Sequence, residues 1–151
     1  MRAREALLII NDRVDVALAA GADGAHLGPS DLSIAAARRA VPADFLLGFS
    51  TDDPERARTA FAEGADYIGC GAVFGTTSKD VGGEAIGVGR LDEVARAIDA
   101  PTIGIGGIDE TNVAAVATTH AAGVAVVSSV MAAADPGAVA AQLIAAFAAR
   151  D

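Results

Sequence analysis

The sequence predicts an α/β fold on a parallel sheet, because short apolar runs alternate strictly with helical stretches along all 151 residues. The apolar runs, such as Leu7-Leu8-Ile9-Ile10 and Gly123-Val124-Ala125-Val126-Val127, have the near-continuous apolar character of strands covered on both faces. There is also an internal echo. Gly21-Ala22-Asp23 and Gly64-Ala65-Asp66 each close a helix and open a strand, and Ala121-Ala122-Gly123 holds the matching place later on. Repeated βα units suit a barrel.

In order, Leu7 to Ile10 reads as the first strand, ending in Asn11-Asp12. Val14, Val16, Ala17, Leu18 and Ala20 predict a short helix closed by Gly21. Gly24 to Gly28 is the second strand, and Asp31 or Ser33 caps a helix from Ile34 to Val41. Phe45 to Ser50 is the third strand. Asp53-Pro54 is an N-cap with proline at the first helical position, and that helix runs to about Glu63. Tyr67 to Gly71 is the fourth strand, followed by a long loop and a helix near Leu91 to Ile98. Pro101 to Gly107 is the fifth strand, and Asp109 caps a helix through about Thr118. Gly123 to Ser128 is the sixth strand, and Asp135-Pro136 caps a last helix ending near Ala149.

A doubly wound sheet is the alternative to a barrel. No Gly-x-Gly-x-x-Gly opens the first helix, so the dinucleotide fingerprint is missing. Polar or small residues gather instead at the C-terminal ends of the strands: Asn11, Asp12, Ser50, Thr76, Ser78, Gly107 and Ser128. Barrel enzymes carry their chemistry on that face. Six units fall short of a closed barrel's eight, and residues 1–6 read as the tail of a helix. The expectation is therefore a TIM-type (β/α)8 barrel lacking its first two βα units, with residues 1–151 as one partial barrel domain.

Hydrophobic residues make up 52% and charged residues 21%, which places the chain among globular proteins rather than disordered ones. A net charge of −9 argues against nucleic acid and anionic membranes as partners. The single cysteine, Cys70, excludes an internal disulfide and fits a reducing, cytoplasmic location. It lies in an apolar run and reads as packing. No apolar run reaches the roughly 18 residues of a membrane span. The apolar stretch Ala6 to Ile10 is too short for the core of a signal peptide.

The stretch richest in chemistry is Val73-Phe74-Gly75-Thr76-Thr77-Ser78-Lys79-Asp80, between the fourth strand and a glycine-rich loop. Hydroxyl donors and one cation on a loop after a strand suit a phosphate. Lys79 is the only lysine, which points to a need for a compact ammonium; a solvated loop lysine is the alternative. In barrels of this kind the loops after the last two strands often bind phosphate through backbone N–H groups. Here they hold Ile105-Gly106-Gly107-Ile108 and Val126-Val127-Ser128-Ser129, though ordinary tight turns would look alike. Asp12 and Asp31 stand at neighbouring strand ends, where carboxylates can hold Mg²⁺ with the oxygens of a diphosphate; taken singly, each also reads as a helix cap. His26 and His120 have no partner at metal-ligand spacing and read as structural.

Together these residues resemble the thiamine-phosphate synthase family. The matching motifs are Leu8-Ile9-Ile10-Asn11-Asp12-Arg13-Val14-Asp15, Gly24-Ala25-His26-Leu27-Gly28 with Asp31, Gly64-Ala65-Asp66-Tyr67-Ile68-Gly69, Thr76-Thr77-Ser78-Lys79, Ile105-Gly106-Gly107-Ile108 and Val126-Val127-Ser128. They run in order along nearly the whole chain.

The resemblance implies a (β/α)8 transferase that joins hydroxymethylpyrimidine diphosphate to thiazole phosphate, giving thiamine phosphate and pyrophosphate. It implies that Asp12 and Asp31 hold Mg²⁺ on the diphosphate, and that Asn11, Ser50 and Lys79 contact the diphosphate or pyrimidine. It implies that Thr76, Ser78, Gly107, Val127 and Ser128 surround the thiazole phosphate. Lys79 and Ser50 are the implied catalytic residues. Pyrophosphate leaves, and the thiazole nitrogen captures the pyrimidine methylene cation. The family's early Gln-x-Arg-Glu-Lys type motif has no counterpart in these residues, so the chain is expected to be inactive alone and to associate through open barrel edges. A related tautomerase branch uses a histidine after the strand that here ends Ser50-Thr51-Asp52, where no histidine stands. That branch, and a non-catalytic phosphate-binding half-barrel, are the alternatives.

Overall fold

The computed structural model describes residues 6–75 and 85–149. Six strands form one sheet in the order β1-β2-β3-β4-β5-β6, and each neighbouring pair is parallel. The strands are β1 Ile9–Asn11, β2 Gly24–Leu27, β3 Leu46–Ser50, β4 Tyr67–Cys70, β5 Thr102–Ile105 and β6 Gly123–Ala125. The helices are α1 Val14–Ala19, α2 Ile34–Ala40, α3 Pro54–Ala62, α4 Gly87–Ala97, α5 Val113–Ala117, α6 Ser128–Met131 and α7 Pro136–Ala148. This is an α/β half-barrel with sequential strand order, as in a barrel, and not the reversed order of a doubly wound sheet.

The sheet's two faces differ. Ala25, Leu27, Leu47, Ile68 and Cys70 are buried and join Ala17, Ile34, Ala37, Ala57, Leu91, Val94, Val113 and Val116 of the helices in one core. Small residues on those helices let them lie close to the sheet, and burial of this apolar surface is the main stabilising term. The opposite face carries Gly24, His26, Gly48, Ser50, Tyr67 and Gly69, whose strand positions alternate with the core residues.

The echoed Gly-Ala-Asp motif has a structural meaning. Asp23 pairs with Leu8, its backbone N–H donating to the Leu8 carbonyl (2.9 Å) while its Oδ2 accepts from the Leu8 N–H (2.8 Å). Asp66 does the same to Leu47, at 2.7 Å in both directions. Each carboxylate thus satisfies a backbone N–H at the start of a strand, where the ladder has not yet begun. Ala122 keeps the backbone half of this pattern, donating to Thr102 (2.8 Å), and has no carboxylate for the rest.

Several expected caps are in place. Ser33 accepts from the Ala36 N–H at 3.3 Å, Asp53 from Glu55 at 2.8 Å and Asp135 from Ala138 at 3.0 Å, the last two followed by proline. Three readings need correction. Asp109 caps no helix: its Oδ1 accepts from the Thr111 N–H (2.8 Å) and hydroxyl (2.6 Å), a local turn, and α5 begins only at Val113. β6 stops at Ala125, and Ser128 opens the short helix α6 instead of ending a strand. α4 starts at Gly87, a turn before the predicted Leu91. Among the described residues, no helix is long and apolar enough to cross a membrane.

Candidate active site

The C-terminal ends of the strands carry three groups of residues. The first lies at β1 and β2. Asn11 ends β1 and is in register with His26. Asp12 follows with φ 65°, a left-handed conformation in which aspartate and asparagine are over-represented among non-glycine residues. Its N–H donates to the His26 carbonyl at 2.8 Å, which fixes the turn and leaves the residue exposed. Arg13 and Asp15 satisfy each other at 2.6 Å, and Arg13 draws the Asp15 carboxyl down to about 2. The Asp12 carboxylate itself has no ion pair or hydrogen bond among the described residues. Asp31 sits beyond β2, its Oδ2 accepting from the Gly28 N–H at 2.6 Å, while Oδ1 takes no such bond among the described residues. Neither aspartate caps a helix: Arg13 occupies the N-cap of α1 and Ser33 that of α2.

The second group crosses three strands. Ser50 ends β3, and its hydroxyl lies 2.8 Å from Nε2 of His26. Nδ1 of the same imidazole lies 3.0 Å from the Tyr67 hydroxyl. Burial raises the Tyr67 pKa, so the phenol keeps its proton. His26 stands isolated in the sequence; register across β2, β3 and β4 is what brings it to Ser50. The available signal was glycine at the centre of β3, where a strand ordinarily carries a side chain.

The third group is built from the β4–α4 and β5–α5 connections. The Val73 N–H donates to Ile105 (2.9 Å) and the Phe74 N–H to Gly106 (3.0 Å), so the first connection is laced to the second. On the far side, Ile86 donates to Ala72 (2.9 Å) and Gly87 to Val73 (3.0 Å). These bonds fix both roots of the loop that contains Thr76, Ser78 and Lys79, which lie outside the described residues. Gly106 and Gly107 have φ 97° and 64°. A Cβ on Gly106 would lie 2.6 Å from Ala72 Cβ. Asn112 donates from Nδ2 to the Gly107 carbonyl (2.8 Å) and accepts at Oδ1 from the Asp109 N–H (3.0 Å), which holds the turn.

Gly75, Gly107, Ile108, Asp109, Glu110, Ser128 and Ser129 line a cleft of about 440 Å³ at this point. Val127 is exposed beside it. The Ser129 Oγ is buried with no protein partner among the described residues. Asp109 is held ionised by its hydrogen bonds from Thr111. With two acidic residues on the rim, an anion here would depend on backbone N–H groups, hydroxyls and a cation from the neighbouring loop.

Cys70, on the core face, has its thiol pushed up to about 12, chiefly by burial, so it packs and does not react. His120 donates its N–H to Asp92 (2.8 Å) and pairs with the same carboxylate through Nδ1 (2.9 Å), just before the start of β6 and not at its C-terminal end.

The family model described as thiamine monophosphate synthase matches residues 1–130. The chain belongs to the thiamine monophosphate synthase family. It is 51% identical over 142 residues to the thiamine-phosphate synthase of Anaeromyxobacter dehalogenans, covering 94% of this chain and 64% of that protein. It is 50% identical over 96 residues to the thiamine-phosphate synthase of Methanoculleus marisnigri, covering 64% of this chain and 46% of that one. Among solved structures, the thiamine phosphate pyrophosphorylase from Pyrococcus furiosus superposes with a TM-score of 0.87 at 37% identity, covering 97% of this chain and 70% of that one. The chain thus spans between about half and two thirds of the length of these two curated synthases. The family's relatives are transferases of thiamine biosynthesis, and three strand-end groups of this chain stand on the face where barrel enzymes work.

Proposed function

We propose that this chain carries the substrate sites of a thiamine-phosphate synthase, which joins hydroxymethylpyrimidine diphosphate to thiazole phosphate and releases pyrophosphate. The observation that carries the reading is the order of the strand ends: Asn11-Asp12, Asp31 and Ser50 at one end of the sheet, and Gly107 with Val127 and Ser128 at the other. The six units correspond to strands three to eight of a (β/α)8 barrel and form one partial barrel domain. The likeness to the Pyrococcus furiosus enzyme, which leaves about a third of that chain unmatched, supports this.

Asn11, Ser50 and Lys79 bind the diphosphate or the pyrimidine. Thr76, Ser78, Gly107, Val127 and Ser128 surround the thiazole phosphate. Asp12 and Asp31 fit Mg²⁺ by their chemistry: each keeps a carboxylate oxygen without a partner among the described residues, and Mg²⁺ typically takes one or two carboxylates, with substrate phosphate and water completing its shell. When bound, the ion neutralises charge on the departing pyrophosphate. Lys79 places a point charge on the same leaving group, and Ser50 donates a hydrogen bond to it. The chain holds the thiazole nitrogen in line with the pyrimidine methylene carbon, so no protein nucleophile is required.

Among the described residues, β1 and β6 are the edges of the sheet and carry no charged side chains, and Leu7, Val127 and Met131 are exposed near them. Self-association through these edges follows, and light scattering reads it. A cytoplasmic location accords with the free thiol of Cys70. The test of the reading is an assay with both substrates on a form extended by two βα units before Met1. Thiamine phosphate is expected; phosphate binding without turnover favours the non-catalytic alternative.

A further inference from the structure

We propose that His26 is a positioning residue whose imidazole, held by Tyr67 with its proton on Nε2, donates to Ser50 and so leaves the Ser50 hydroxyl proton for a substrate oxygen. The substrate half of this statement rests on the function proposed above.

The geometry is specific. His26 and Tyr67 stand on β2 and β4, with β3 between them, so their backbones are two strand spacings apart, roughly 10 Å. In register, His26 faces Gly48 and Gly48 faces Tyr67. The side chains meet only over Gly48: a Cβ there would lie 2.2 Å from Tyr67 Cζ and 2.3 Å from His26 Nδ1. Gly69 clears the other flank, since a Cβ on it would lie 3.0 Å from His26 Cε1. Two glycines in adjacent strands thus make a slot, and the imidazole in it bridges Tyr67 at 3.0 Å and Ser50 at 2.8 Å.

A neutral imidazole has one donor and one acceptor nitrogen, so the bridge has a direction. Phenol is the better donor of the two hydroxyls because its oxygen lone pair is delocalised into the ring; an aliphatic hydroxyl oxygen is the better acceptor. Tyr67 therefore donates to Nδ1, and Nε2–H donates to Ser50. Ser50 then accepts from the protein and has its own O–H to give. The reverse direction would spend the Ser50 proton on Nε2.

The chain has two histidines, His26 and His120, so imidazole nitrogen NMR resolves them, with His120→Gln giving the assignment. At pH 7.5 or so the expected spectrum places the His26 proton on Nε2. The Nδ1–H tautomer, or an imidazolium, overturns the proposal. In a folded Tyr67→Phe chain the tautomers should mix and Mg²⁺-pyrophosphate binding should weaken about tenfold, the scale of one hydrogen bond to a charged group. An unchanged tautomer population in that variant overturns the holding role of Tyr67. If Tyr67→Phe does not fold, the wild-type spectrum decides alone. A wild-type chain with the expected tautomer that binds no pyrophosphate overturns the functional reading and leaves the direction of the bridge standing.

Discussion

A Cβ on Gly107 would lie 2.4 Å from the carbonyl oxygen of Gly75. These two residues line the same cleft, and Gly75 is the last described residue before the loop that holds Thr76, Ser78 and Lys79. The turn after β5 thus sets where the β4–α4 loop leaves the sheet. Gly107 also has φ 64°, so a side chain there is strained as well as crowded. Gly107→Ala is expected to cost roughly 1–3 kcal/mol of stability. It should also weaken binding of thiazole phosphate. Urea unfolding and a phosphate titration measure the two effects; a variant matching the wild type in both would remove the turn from the site.

Asp12 and Asp31 should separate in their effects. Asp12→Asn removes the charge of a carboxylate that has no partner among the described residues and keeps a residue type that tolerates φ 65°, so it should abolish the Mg²⁺ dependence of pyrophosphate binding with little change in folding. Asp31→Ala also releases the Gly28 N–H, so a loss of about 1 kcal/mol of stability is expected, and Asp31→Asn should restore much of that but not the Mg²⁺ dependence. Calorimetric titration of pyrophosphate with and without Mg²⁺ is the check. Equal affinities in both conditions for the wild type would end the metal assignment.

Much of this was legible in the sequence. Alternation of Leu, Ile and Val runs with capped helices located all six strands, and Asp53-Pro54 and Asp135-Pro136 marked helix starts because their chemistry is local. Asp109 misled because a cap and a local turn use the same carboxylate on neighbouring N–H groups; only the position of Asn112 beneath Gly107 decides between them. His26 was opaque because its partners are 24 and 41 residues away and meet it through strand register. Register is a property of the assembled sheet, and the glycines at 48 and 69 are its trace in the chain.

Ala122 marks where the repeat is incomplete. Asp23 and Asp66 accept from the N–H of the residue opposite, and Ala122 has only its backbone bond to Thr102. Ala122→Asp is expected to stabilise the fold by about 1 kcal/mol, the net value of one hydrogen bond. A raised urea midpoint with unchanged slope is the expected result; an unchanged or lowered midpoint would show that the Thr102 N–H gains nothing from a carboxylate there.

Lys79 is the chain's only lysine and is proposed to act on the leaving diphosphate. In the extended form, Lys79→Ala should lower kcat by on the order of 10²-fold, the scale of one lost transition-state contact. Lys79→Arg should recover part of that, because guanidinium carries the charge with a different shape. Full turnover in Lys79→Ala would assign the lysine to solvent.

The most direct measurement follows both products when the extended form is given hydroxymethylpyrimidine diphosphate, with and without thiazole phosphate. Thiamine phosphate and pyrophosphate are expected in equal amounts when both substrates are present, with residues 1–151 alone falling far behind. Absence of thiamine phosphate from the extended form, or an equal rate from residues 1–151 alone, would contradict the proposed function.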